Sequence, residues 1–392
     1  MDFNFNQEQL QLADALKRWI AREYGAEARR AIVASADGTS DAAWRGLAEL
    51  GLTALPLPEA RGGYDGGAVD MFGVMQELGR GLVVEPYFAT VLGAEFLKRG
   101  GGHHDLLDAV AGGTLKLACA LGERQSRHDL RDIATRATRA TSVADAGDVP
   151  AGGGWRLSGE KKVVLHGAQA GVIVVSARTR GAQRDADGIS LFAVPADAPG
   201  LRITAYRTLD GQRAADVRLD GVYLDAASLI GSEHAGWEIL DAAADYGAGL
   251  LCAEALGAME ALFGATLDYL KTRRQFGTPI GKFQALQHRM ADMAIHLEQA
   301  RSMAMLAAVR LDEGDPLERR RAVSAAKYRV GLAARFVGQQ AVQLHGGMGV
   351  TDELPAAHYF KRLSTIELQL GDCDHHLARF IAQPGFAGRE AA

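Results

Sequence analysis

Arg273-Arg274-Gln275-Phe276-Gly277-Thr278-Pro279-Ile280-Gly281-Lys282-Phe283-Gln284 interrupts a long helical pattern with two glycines and a proline beside paired cations. A second break, Gln343-Leu344-His345-Gly346-Gly347-Met348-Gly349, does the same with an amide in place of the cations. Glycine lets a backbone approach a ligand closely, and helix ends present unpaired polar groups, so both breaks suit a phosphate-bearing cofactor. Arg273 and Arg274 have two readings at this level. They complement the negative end of the preceding helix, or a planar guanidinium forks onto a pyrophosphate.

Outward from these breaks the chain changes texture twice. From Asn6 to about Gly113 the apolar residues recur at helical spacing, with Leu10, Leu12, Ala13, Leu16 and Ile20 as one stripe and Phe72, Val74, Met75 and Leu78 as another. A glycine-rich loop, Arg61 to Gly67, interrupts this helical part. Between about Leu115 and Ile230 short β-rich runs alternate with turn chemistry: Ala151-Gly152-Gly153-Gly154 precedes Trp155, Val172 to Val175 are branched, and Asp220-Gly221 predicts a turn between two strands. Strands without intervening helices argue against a doubly wound nucleotide fold and for a small β-barrel or sandwich. After Gly231 helices return, and four segments of about 25 to 30 residues predict a long-helix bundle. The expectation is an α+β chain with a helical domain over 1–114, a β domain over 115–230 and a helical bundle over 231–392.

The composition excludes several classes. With 392 residues, 48% apolar and 23% charged, the chain is long enough for two or three cores and reads as globular. The 43 basic and 48 acidic residues give a net charge of −5, and Arg319-Arg320-Arg321 is the one basic block, so no nucleic-acid partner is expected. That block reads as a solvated helix face or as a contact to a subunit or phosphate. Cys119, Cys252 and Cys373 are too few and too scattered for a disulfide framework. Met1 to Asn6 lacks the basic start and apolar core of a signal peptide, and the longest uncharged run, Phe336 to Thr351, falls short of a membrane span. A cytoplasmic protein is expected.

The order of elements around Arg273 to His288, the Gln343 to Gly347 loop and the helical, β, helical sequence of domains resemble the acyl-CoA dehydrogenase family over almost the whole chain. Ser158 to Gly167, Leu251 to Ala255 and Gly371 to His376 are similar to the small-subunit type of pimeloyl-CoA dehydrogenase. The resemblance implies an FAD cofactor held by Arg273, Phe276, Gln284, Gln343, Leu344, His345, Gly346 and Gly347, with Gln284 serving the flavin across a subunit boundary. It implies an acyl-CoA substrate oxidised to the 2-enoyl-CoA, a homotetramer or a heterotetramer with a homologous chain, and an electron-transfer flavoprotein as acceptor. No metal is implied; Cys373-Asp374-His375-His376 reads as a polar helix face.

The departures from the family pattern fall on the chemistry. The family reaction needs a carboxylate to take the α-proton and hydrogen-bond donors to hold the thioester oxygen. The glutamate normally precedes a glycine that here is Gly371, so its position reads Leu370, which keeps only a backbone N–H. The earlier-helix alternative reads Gly247. Val163 and Leu165 stand at flavin-contacting positions where a hydroxyl is usual. The Gly122 to Asp129 loop keeps only Glu123 and Asp129 of its usual pattern, and Asp372 and Asp374 stand at cofactor-binding positions where neutral polar residues usually contact FAD. Glu367 is the first candidate replacement base, one turn before Leu370 on the assumption of an unbroken helix, and Asp245 in the earlier helix is the second. Two outcomes follow: an active dehydrogenase with an atypical base, or a non-catalytic subunit whose partner supplies it.

Overall fold

The computed structural model describes residues 5–140 and 153–384. Met1 to Asn4, at the start of the segment read for a signal peptide, and Ala151-Gly152, the first half of the turn expected before Trp155, lie outside them. Contacts divide the chain into two units. One comprises Met1–Ala31, Gly67–Val83 and Gly247–Ala392, the other Ile32–Gly66 and Val84–Tyr246.

The first unit is helical: α1 (Gln7–Glu23), α4 (Ala68–Arg80), most of α7 (Gly236–Thr272), α8 (Gln284–Leu311), α9 (Pro316–His345), α10 (Pro355–Leu368) and α11 (Cys373–Ile381). Starts are coded locally. Asn6 and Gln9 exchange backbone and side-chain hydrogen bonds, 2.8 Å each, in a capping box at α1. Asp315 accepts from Leu317 N–H at 2.8 Å before Pro316 opens α9. Helices α4 and α7 touch backbone to backbone, since a Cβ on Gly79 would lie 2.0 Å from the Glu254 carbonyl oxygen and one on Gly257 1.8 Å from that of Gln76. Charges then lock the layer. Arg362 forks onto Glu254 at 2.6 and 2.8 Å with both side chains buried, and Glu260 gathers Gln76, Arg80 and Arg301. Among the described residues the bundle has three long helices rather than four, because the chain breaks before Pro355 and again after Leu368. Arg319 is buried, so the triple-arginine run is not a wholly solvated face.

The second unit carries α3 (Asp41–Glu49), α5 (Tyr87–Gly100) and α6 (His104–Ala111) beside an eight-stranded mixed sheet. Its strands are β1 (Leu117–Ala120), β2 (Arg136–Ala140), β3 (Gly154–Leu165), β4 (Val172–Arg178), β5 (Ile189–Pro195), β6 (Leu201–Arg207), β7 (Arg213–Asp225) and β8 (Leu229–Ile230). The order is β6-β7-β3-β2-β4-β5-β8, with β1 parallel to β4, and it does not close into a barrel. Trp155 and Phe192 meet edge to face at 5.2 Å in a core shared with Leu157, Ile173, Val175 and Val217. Asp220-Gly221 is a bulge, not a turn: β7 runs through it, and Gly221 at φ 65° takes the left-handed conformation that the extra residue needs.

Helix α7 is long and apolar enough to cross a membrane by length and composition, yet 67% of its most apolar window is buried inside the protein, as in a core helix.

Candidate active site

The Arg273 segment is built as a two-residue hairpin. Short strands β9 (Arg274–Gln275) and β10 (Thr278–Pro279) pair antiparallel, leaving Phe276 and Gly277 as the turn. Both turn residues have positive φ, 54° and 76°, as a turn of the I′ kind demands. Phenylalanine is a poor occupant of that conformation, and the turn leaves its ring 90% exposed. The Arg273 carbonyl accepts from Ile280 N–H at 2.9 Å, folding the segment back on the end of α7. The Arg273 guanidinium is exposed, and among the described residues it has no carboxylate partner.

The Gln343 loop caps α9 with Gly346 at φ 60°. Tyr269 of α7 stacks on His345 at 4.4 Å and donates its hydroxyl to the His345 carbonyl at 3.3 Å, which draws the two glycine breaks together. Leu344 and His345 are buried, which leaves their backbone rather than their side chains available to a ligand. Gln343, Gly346 and Gly347 are exposed, and open space surrounds the Cα of both glycines. Gln284 is exposed at the start of α8. An unpaired guanidinium, a free amide and two bare glycine backbones form a donor set that fits a dinucleotide pyrophosphate.

The segment from Glu367 to His376 differs from expectation. Helix α10 stops at Leu368, so Glu367 and Leu370 are not one unbroken turn apart. Leu370 has φ 53° and Gly371 φ 110°, and for leucine that conformation costs about 1–2 kcal/mol. Among the described residues the Leu370 N–H meets no protein acceptor. The Glu367 carboxylate is buried and occupied, taking Arg335 Nη2 at 3.0 Å and the Cys373 N–H at 3.1 Å. Asp372 is the cap of α11, accepting from His375 N–H at 2.8 Å; Asp374 is exposed.

Sequence reasoning missed Lys327. It is buried in α9, and its ammonium donates to the carbonyls of Ile366 at 2.9 Å, Glu367 at 3.0 Å and Gly371 at 2.9 Å. Burial pushes its pKa down to about 8, against the pull of nearby Cys252, Glu367, Cys373 and Asp372. The available signal was a lone cation following the small residues Ser324-Ala325-Ala326. His376 is also buried, with Nε2 3.0 Å from the Leu370 carbonyl. A carbonyl only accepts, so Nε2 carries the proton. Burial and then the neighbouring Lys327, His375 and Arg379 hold the ring neutral.

In the other unit, Val163 is thrown outward by a bulge in β3 between Lys161 and Val164, at φ 53° and 60% exposed. A branched residue at positive φ is an outlier, of the kind that collects at ligand sites. Leu165 is half-buried. Beneath them Lys161 donates to Glu123 at 2.7 Å and to Ser176 at 3.1 Å, and Glu123 also takes the backbone N–H groups of Ala134 and Thr135 at 2.8 and 3.1 Å. The persistence of Glu123 in the loop is therefore structural.

The chain matches the descriptions "Acyl-CoA dehydrogenase, N-terminal domain" over residues 6–103, "middle domain" over 118–224 and "C-terminal domain" over 234–382. It is 30% identical over 384 residues to the probable acyl-CoA dehydrogenase YngJ of Bacillus subtilis, covering 95% of this chain and 96% of the relative. Among solved structures, the Tcur3481-Tcur3483 steroid ACAD is 30% identical with a TM-score of 0.84, covering 95% of this chain and 96% of that one. The ChsE4-ChsE5 complex of Mycobacterium tuberculosis is 25% identical with a TM-score of 0.86, and each chain is covered in full. The chain belongs to the acyl-CoA dehydrogenase family. That family comprises FAD-dependent oxidoreductases acting on CH–CH bonds, and FAD is its cofactor.

Proposed function

We propose that this chain is the carbonyl-holding, flavin-binding member of a heteromeric acyl-CoA dehydrogenase, with a homologous partner supplying the catalytic base. The observation that carries the reading is the Leu370 turn. Among the described residues its N–H meets no protein acceptor, and it matches the family's oxyanion position, while the Glu367 carboxylate is engaged by Arg335 and Cys373 and that of Asp372 caps α11. FAD, when bound, accepts the β-hydrogen of the acyl group as hydride. Arg273, the Gln343 amide and the Gly346-Gly347 backbone would hold its pyrophosphate, and Phe276 and Gln284 would serve the flavin across the subunit boundary. Val163 and Leu165 offer apolar contact to the flavin but no hydroxyl. Leu370 N–H holds the thioester oxygen as charge develops on it.

In this reading the domain bounds are 1–114, 115–230 and 231–392, and the chain is of the pimeloyl-CoA dehydrogenase small-subunit type. The protein works in the cytoplasm, without a membrane span or nucleic acid, and passes electrons to an electron-transfer flavoprotein. Heteromeric assembly is supported by two similar structures, Tcur3481-Tcur3483 and the ChsE4-ChsE5 complex, each named for a pair of proteins. The competing reading is a homotetramer in which Glu367 is the base; it requires that carboxylate to leave two donors. Purification of the chain alone and with a co-expressed homologue bearing glutamate before the matching glycine tests the choice. Anaerobic acyl-CoA should bleach the flavin only in the pair. Bleaching of the homogeneous chain would overturn the heteromeric reading.

A further inference from the structure

The sharpest unexplained group in the molecule is the Lys327 ammonium, a buried charge with no forked carboxylate partner. It spends its three N–H bonds on the carbonyls of Ile366, Glu367 and Gly371, that is, on the last turn of α10 and on the residue after Leu370. Those carbonyls bracket the strained residue. From the other side His376 Nε2–H takes the Leu370 carbonyl itself. Carbonyl groups along this turn are thus drawn inward, while the Leu370 N–H is left unused. We propose that Lys327 is the positioning residue of the thioester site: it holds the Leu370 turn in its strained left-handed form so that the Leu370 N–H faces the substrate carbonyl.

This rests on the reading of Leu370 N–H as a carbonyl donor, and extends it by naming what holds that donor in place. The chemistry is specific to an ammonium. Three carbonyls need three donors, and a neutral amine has two. The groups facing Lys327 from the packed elements are Cys252 on α7, Glu367 on α10, and Asp372, Cys373 and His376 at the start of α11. Burial pushes both thiols up to about 12, and His376 stays neutral, so Lys327 is the group whose proton leaves near pH 8.

The test compares the full chain, with its partner if one is required, with its Lys327→Met variant. Hydrogen exchange at the Gln369 and Cys373 amides reports the turn, because both are bonded within it. Binding of octanoyl-CoA against the octyl-CoA thioether, which lacks the carbonyl, reports the donor. In the unaltered protein, protection should fall about tenfold between pH 7 and pH 9 beyond the intrinsic rate change, an arm that needs no variant. In Lys327→Met, protection should already be lost at pH 7 with no step at pH 8. The preference for thioester over thioether should shrink about tenfold while thioether affinity holds. Unchanged exchange in both arms, or a thioester preference that survives Lys327→Met, overturns the proposal. If the unaltered protein has no thioester preference, the reading of Leu370 fails, and exchange alone decides whether Lys327 holds the turn.

Discussion

Arg335 Nη2 lies 3.0 Å from Glu367 Oε1, and that oxygen also accepts the Cys373 N–H at 3.1 Å, so the candidate carboxylate near Leu370 is tied to two helices at once. Glu367→Gln keeps the acceptor and the shape. Flavin reduction by acyl-CoA in the assembled enzyme should change by no more than about threefold, whereas loss of a general base costs on the order of 10²–10⁴. Stopped-flow absorbance measures it, and a hundredfold loss would make Glu367 the base after all. The stability change should be small, because the half-exposed Arg335 is screened by water.

Arg273→Ala should lower flavin occupancy without unfolding the chain. The side chain is exposed and pairs with no carboxylate among the described residues, so nothing in the fold depends on it. Visible absorbance gives the flavin content and far-UV circular dichroism the fold. Full flavin content with an unchanged spectrum would remove Arg273 from the site.

Acid stability should depend in part on Glu123. Burial alone would raise its pKa, but the Lys161 charge and hydrogen bonds from Lys161, Gln125 and Thr135 outweigh it and hold the carboxyl at about 2, below the ordinary 4.5. A carboxyl depressed in the folded state contributes fully above its unfolded pKa, and that contribution fades as pH falls from about 4.5 through about 2. Glu123→Gln should cost about 3 kcal/mol at pH 7, since it also strands a buried ammonium. Its stability curve should be flatter below pH 4.5. Urea titrations at pH 7, 4 and 3 give both quantities, and parallel curves for the two proteins would refute the assignment.

The protein should not be a monomer. Phe276, Val350, Leu368 and Ile295 are exposed by 90, 69, 56 and 55%, all in the helical unit. Scattered apolar residues are normal, but a phenylalanine exposed at the tip of a candidate ligand loop and an isoleucine exposed midway along α8 mark contact surfaces. Light scattering on the flavin-loaded protein should give a multiple of 41.7 kDa. A monomer that keeps its FAD would contradict both the shared site and the packing of helices between subunits.

The helical, β, helical order and both glycine breaks were legible because periodicity and chain breakers are local signals. Asp220-Gly221 was misread because Asp-Gly suits a turn and a bulge equally, and the residue count on the partner strand β3 decides between them. An open sheet cannot be told from a barrel by alternation along single strands. The end of α10 was invisible for another reason. Leu368-Gln369-Leu370 contains no breaker, and the stop coincides with contacts from Lys327, more than thirty residues upstream, and from His376. The glutamate-free position at Leu370 could be read directly, but the strain and the clasp around it depend on tertiary contacts.

The helical unit assembles from Met1–Ala31, Gly67–Val83 and Gly247–Ala392. During synthesis, α1 and α4 leave the ribosome early, yet the α7 backbone that Gly79 and Gly257 bring against α4 follows only after the entire sheet-bearing unit. These early helices can pack on each other, as Gln9 of α1 and Asp70 of α4 do, but the α4 face that meets α7 waits uncovered meanwhile. Production of this protein in a cell therefore leans on chaperone capacity more than its finished stability implies.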